Sequence, residues 1–181
     1  MIEKLLIVAH LDDECIWFNP ESFDKIIVCF LDRLDNFKMT VARKKILQQH
    51  PLKDKIVCLG LTESNYWKDK TQLKKHQENY NQVKDLIRAD VLEAKEIYTH
   101  NPWGEYNHAD HILVSEAVRE IALCPVYGFD GQVATTARER IEVQPNIELY
   151  RRIKKLYQDE KAWTWVGDFQ PEKTLYYYKI N

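Results

Sequence analysis

The chain has 181 residues, 45% of them hydrophobic and 30% charged, with a formal net charge of −2. That length suits one domain able to bury a sizeable core, and the charge balance supplies no basic field that would attract nucleic acid. No run approaches the ~20 apolar residues of a membrane-spanning helix, and the stretch Leu5–Ala9 is too short for a signal-peptide core, so a cytoplasmic protein is expected. Cys15, Cys29, Cys58 and Cys124 show no C-x-x-C spacing and read as reduced thiols, Cys29 and Cys58 behaving as small core hydrophobes.

The first element is Lys4–Ala9, an apolar run that reads as a buried strand and ends in His10, Asp12, Asp13 and Glu14. The crossover after it is tight and interrupted by Pro20, so any helix there is short. Lys25–Leu31, Lys55–Leu59 and Lys95–Thr99 repeat the strand pattern. Thr40–Gln49 has helical spacing, with Val41, Ile46 and Leu47 facing inward and Arg43, Lys44, Lys45 and Gln48 outward. Asp69–Ile87 is a longer, polar helix expected to bury Leu73, Tyr80, Val83, Leu86 and Ile87. A third helix, from about His108 to Ile121, should bury Ile112, Leu113, Val114, Val118 and Ile121. Strands alternating with helices predict βαβ units. Beyond Cys124 come short strands at Val126–Phe129, Val133–Ala134 and Arg140–Val143, a helix from about Asn146 to Gln158, and an aromatic tail, Ala162–Tyr178. With no repeat and no linker, the expectation over 1–181 is a single α/β domain, a mostly parallel sheet flanked by helices.

Two polar clusters stand out against this frame. His10 and Asp13 leave the C-terminal end of the first strand, the edge where open parallel sheets bind ligands. His111 arrives on the helix after the fourth strand, one turn beyond His108. Two histidines and a carboxylate with an open position match catalytic zinc, and the same set can hold non-haem Fe(II). Consecutive aspartates cannot easily both reach one ion. One can bind while the other takes a proton from a water whose pKa the metal lowers to ~7. Asp110 can accept a proton from a ligand histidine, and Glu14 is either a helix-start acid or a partner behind the ligands. A non-ligating His108 suits transition-state stabilisation, and Tyr106 is either an oxyanion donor or a packing residue.

The segments Ala9-His10-Leu11-Asp12-Asp13-Glu14 and His108-Ala109-Asp110-His111 resemble the A-H-P-D-D-E and H-P-D-H motifs of the LmbE/PIG-L family of metal-dependent N-deacetylases. In outline the similarity extends over nearly the whole chain. It implies a Rossmann-like fold and zinc-assisted hydrolysis of an N-acyl group, usually acetyl on an amino sugar. By motif position, His10, Asp13 and His111 would hold one zinc and Asp12 would be the general base. His108 would assist at the oxyanion or leaving group, with Tyr106 beside it. Leu11 and Ala109 stand where the motifs carry proline, Asn107 where glycine is common, and 15–20 where a glycine-rich stretch often follows. Those departures bear on the shape of the acyl and sugar pocket, for which Trp103, Trp163 and Trp165 are candidate stacking residues. The expected partner is a small N-acetylated amino sugar or its conjugate, with no nucleic acid and no membrane span; self-association as a homo-oligomer is left open. A metal-dependent phosphohydrolase would want a second ligand cluster, which the sequence does not offer. A metal- or sugar-binding module without turnover would have lost a base or oxyanion group, yet Asp12 and His108 are both present.

Overall fold

The computed structural model describes residues 1–131, 140–164 and 173–181. Strand β1 (Ile2–His10) is buried from Leu5 to His10, because a central strand of a parallel sheet is covered on both faces and needs an apolar run rather than alternation. It pairs in parallel with β2 (Lys25–Asp32) on one side and β4 (Ala94–Thr99) on the other, Leu5 facing both Lys25 and Ile97 in register. Beyond β2 lies β3 (Ile56–Thr62), and beyond β4 lies β5 (Val126–Gly131), both parallel. The aromatic tail supplies β7 (Leu175–Lys179), antiparallel to β5 and also to β6 (Arg140–Val143). The order is β3-β2-β1-β4-β5-β7-β6.

Among the described residues five α-helices cover the sheet: α1 (Asp13–Ile16), α2 (Phe37–Gln49), α3 (Leu73–Glu93), α4 (Ala109–Ile121) and α5 (Ile147–Asp159). Alternate residues of β1 divide the core. Leu6 and Val8 pack with Ile46 of α2 and with Tyr150, Ile153 and Tyr157 of α5. Leu5 and Ile7 pack with Val83 and Ile87 of α3 and Leu113 and Val118 of α4. Each such side chain contributes about 1.5–3 kcal/mol by leaving water, so this two-sided core dominates the stability. Local signals set the helix ends: Asn36 and Asn146 cap α2 and α5 by accepting the amides of Met39 and Leu149, and Pro51 follows the end of α2.

Several expectations are corrected here. Arg43 points inward, 3% exposed, while Val41 is 39% exposed; residues 40, 43 and 46 share a helical row, and a buried acid draws the guanidinium in. In α3 the buried row runs Asn79, Val83, Ile87 and Val91, leaving Leu73 and Leu86 rotated off it, 46% and 51% exposed. Ile112 is only partly buried. The tail's Tyr176–Tyr178, to which the sequence assigned no element, lie in a strand. Val133–Ala134 lies outside the described residues.

From β1 the chain moves outward through β2 and β3, then returns to place β4 on β1's other side. That reversal opens a crevice at the C-terminal ends of β1 and β4, where a doubly wound sheet binds its ligand.

Candidate metal centre

His10 ends β1 and His100 follows β4, so the reversal brings two imidazoles to one crevice before any loop contributes. The turn after His10 forces Asp12 to φ 110°, ψ −28°, a left-handed conformation costly for a residue with a Cβ. Glu14 bears this strain: its Oε2 accepts the Asp12 amide at 2.8 Å while Oε1 accepts the Tyr157 hydroxyl at 3.0 Å. Glu14 thus anchors the turn to α5. The consequence is that Asp12 and Asp13 point to different places.

Asp13 Oδ2 accepts the His10 amide at 2.7 Å and lies 3.3 Å from His10 Nδ1 and 3.4 Å from His111 Nε2. Its Oδ1 accepts the Trp17 indole N–H at 3.1 Å. Although burial works the other way, the imidazoles packed around it, the charged His10 among them, hold the carboxyl well below its usual range. Asp13 is a fixed anion.

Behind the histidines stand further carboxylates. Glu105 Oε2 accepts from His111 Nδ1 at 2.7 Å and from His100 Nδ1 at 2.6 Å. That fixes the His111 tautomer, leaving a lone pair on Nε2. Burial and His100 lower the pKa of His111, so the ring is neutral, and Nε2 is buried with no hydrogen-bond partner. His10 Nε2 lies 3.3 Å from Asp110 Oδ2. Burial alone would lower the pKa of His10, but Glu63, Asp110 and Asp13 raise it to about 10.

Asp12 lies just beyond these groups. Its Oδ2 accepts the Thr164 hydroxyl at 2.6 Å. Burial first, then Asp13, raises its pKa to about 7 against the pull of Arg43. His108 is the N-cap of α4 rather than its first helical residue, and its Nδ1 accepts the Asp110 amide at 3.2 Å. Burial, with His10 and His111 close by, lowers its pKa to about 2. Gly104 makes the preceding turn possible: at φ 66° a Cβ would stand 2.7 Å from the His108 carbonyl oxygen. Tyr106 and Asn107 follow with φ of 51° and 62°, and Tyr106 reaches the cavity mouth with its ring centroid 5.7 Å from that of His108.

Donor atoms lie within 4.8 Å of one another in three buried or half-buried sets: His10, His108 and His111; Asp13, His100 and His111; and His10, Glu63 and Asp110. They open into a cavity of about 650 Å³ lined by Trp17, Trp67, Tyr106, Arg33 and Lys70 among others. The structure thus brings together His10, Asp12, Asp13, Tyr106, His108, Asp110 and His111, with Glu14 behind them. It does not bring the expected tryptophans to the cavity. Trp103 stacks on Tyr178 and Trp163 packs against Tyr150 and Tyr157, while Trp165 lies outside the described residues. Trp17 and Trp67 line it instead. Sequence reasoning also missed His100, Glu105, Glu63 and Arg43; of these, His100 carried a signal, since it follows Thr99 at a strand end as His10 follows Ala9.

No family model matches the chain. An uncharacterized protein of Acanthamoeba polyphaga mimivirus is 26% identical over 176 residues, 87% of this chain and 72% of the viral protein. Among solved structures, a deacetylase of teicoplanin biosynthesis in complex with teicoplanin superposes with a TM-score of 0.59 at 11% identity, over 97% of each chain. A second complex of a deacetylase from that pathway gives 0.58 at 13%, over 88% of this chain and 84% of the other. The chain shares the fold of these deacetylases. In this fold the buried histidines and carboxylates at the β1 and β4 ends form a centre able to bind a metal ion.

Proposed function

We propose that the protein is a zinc-dependent hydrolase that removes the N-acetyl group from an amino sugar or its conjugate. The observation that carries this is the pair of distances at Asp13 Oδ2, 3.3 Å to His10 Nδ1 and 3.4 Å to His111 Nε2. Ligand atoms of a tetrahedral ion with bonds of ~2.0–2.1 Å are ~3.3–3.4 Å apart. His111 Nε2 presents a lone pair towards an anion, an unfavourable meeting unless a cation lies between them.

Three of the other donors are already committed. His100 Nε2 accepts the Ala9 amide at 2.9 Å. His108 Nδ1 accepts an amide, so its proton sits on Nε2, which makes that atom a donor rather than a ligand. Glu63 Oε1 is held by Arg43 at 2.5 Å. Asp110 faces His10 Nε2 from behind, so His10, Asp13 and His111 would be the residues to hold one ion, for which His10 would have to give up its Nδ1 proton. The same commitment of Glu63 counts against the phosphohydrolase alternative, because a guanidinium stands where a second cation would have to approach the His10, Glu63 and Asp110 set.

A divalent ion there would supply Lewis acidity and a lowered water pKa. Asp12, raised to about 7 and oriented by Thr164, accepts the proton of the attacking water. His108 hydrogen-bonds the developing oxyanion through its Nε2–H, the Tyr106 hydroxyl adds a second donor from the cavity mouth, and Asp12 passes the proton taken from water to the departing amine. Thr164 and Glu14 keep the base in register. The resemblance to a deacetylase in fold supports amide hydrolysis as the reaction.

The test pairs elemental analysis with release of primary amine from a panel of N-acetyl sugars and their conjugates. About one zinc per chain is expected, with amine release abolished by chelation and restored by zinc. A chain with no bound metal and no rescue by zinc, or with metal but no amine release across the panel, would overturn the assignment.

A further inference from the structure

One side of the cavity carries more positive charge than the protein needs for itself. Arg33 follows β2, Lys68 and Lys70 follow β3, and all three line the cavity with Arg43. Two carboxylates serve these four cations. Glu63 takes Arg43 at 2.5 Å and Arg33 at 3.5 Å, and Asp35 takes Arg33 at 3.0 Å and Lys68 at 2.9 Å. Lys70 has no carboxylate within ion-pair distance among the described residues; its Nζ sits 4.3 Å from the Tyr66 ring centroid. Asp12 and Asp13 line the same cavity and Asp12 feels Arg43, but neither forms an ion pair with Arg33, Lys68 or Lys70 among the described residues. Lys70 is therefore left without a counter-ion, and Arg33 and Lys68 share one carboxylate, Asp35. Trp67 lies in the same wall, its face under Lys68 Nζ at 4.6 Å and its ring centroid 5.5 Å from that of His108.

We infer that the substrate carries an anionic substituent, a phosphate or a carboxylate, on or next to the acylated amino sugar, and that Lys68, Lys70 and Arg33 receive it while Trp67 packs against the ring. This rests on the deacetylase reading and narrows it to a charged class of conjugate. Arg33 is already forked onto Asp35, so the lysines, mobile point charges, carry most of the discrimination.

Calorimetric titration of the full chain with glucosamine, glucosamine 1-phosphate and muramic acid tests this without requiring turnover. At low salt at least one anionic ligand should bind about tenfold more tightly than glucosamine, and the preference should collapse in the Lys68→Gln/Lys70→Gln double variant while glucosamine binding stays unchanged. Preference for the 1-phosphate or for the lactyl ether identifies the anion. Equal affinities for all three ligands, absence of binding by either anion, or a preference that survives the double variant would overturn the inference. Amine release, measured separately, keeps the two readings apart. A chain that deacetylates neutral sugars without preferring the anionic ligands loses only the inference; one that prefers them but releases no amine from their N-acetyl forms loses only the deacetylase assignment.

Discussion

Replacing Glu105 by glutamine changes one charge and almost no volume, yet it attacks the metal centre from behind. Glu105 Oε2 accepts from two imidazoles, at 2.6 and 2.7 Å, and Oε1 accepts the Asn101 amide at 3.1 Å. A glutamine has only one acceptor oxygen for these two sites. If its carbonyl faces the imidazoles, its NH2 meets the Asn101 N–H, donor against donor. If it flips, the NH2 faces the rings and His111 must move its proton to Nε2, the atom proposed to ligate. Removing partners of this kind weakens metal binding by ~10–100-fold, and because both orientations are frustrated the upper end is expected, equivalent to about 2.8 kcal/mol at 1.4 kcal/mol per decade. Competition with a chromogenic chelator gives the affinity directly, with circular dichroism confirming that the variant is folded. A folded variant whose zinc affinity stays within about threefold of the parent would refute the argument, since its tautomer control would then count for nothing.

The neighbouring aspartates should separate in the same assays. Asp12→Asn should keep the metal and lose ~10²-fold or more in turnover; loss of the metal would exchange the roles of Asp12 and Asp13. His108→Ala should also keep the metal, with kcat and kcat/KM falling together by the equivalent of ~2.7–4 kcal/mol, whereas a near-normal rate would reduce His108 to a helix cap. Arg43→Leu leaves the buried Glu63 carboxylate with only the more distant Arg33, at 3.5 Å, and His10, at 3.8 Å, among the described residues. Urea denaturation should show a loss of ~3–5 kcal/mol, and an unchanged midpoint would mean that Glu63 finds another partner.

The order of strands and helices was legible because a buried parallel strand must be a continuous apolar run and its covering helices must keep a 3.6-residue period. The pairing of the two polar clusters was legible for the same reason: both follow elements whose ends the sheet gathers together. What the sequence withheld depends on three-dimensional proximity. Nothing local marks Glu105 as the acid between two histidines, since it is a lone carboxylate in a turn. Arg43 looked like a solvated helix residue because its counter-ion, Glu63, is distant in sequence. Trp17 sits four residues beyond Asp13, and only the tight turn of α1 brings its indole N–H back to the carboxylate. The tail's tyrosines alternate too little to announce a strand, and they form one because β5 and β6 both leave an edge for it.

That last arrangement bears on how the chain reaches its fold as the ribosome makes it. Strand β7 lies between β5 and β6 yet is synthesised after both. Until it emerges, β5 presents an open edge and β6, among the described residues, has no neighbour, so the β7-β6 end of the sheet waits on residues translated after both strands. Exposed strand edges recruit other strands, including those of sister chains. The interval between the exit of β5 and the arrival of β7 is therefore when nascent chains are most exposed to misassociation, and slowing translation across that interval should lower the soluble yield without altering the finished protein.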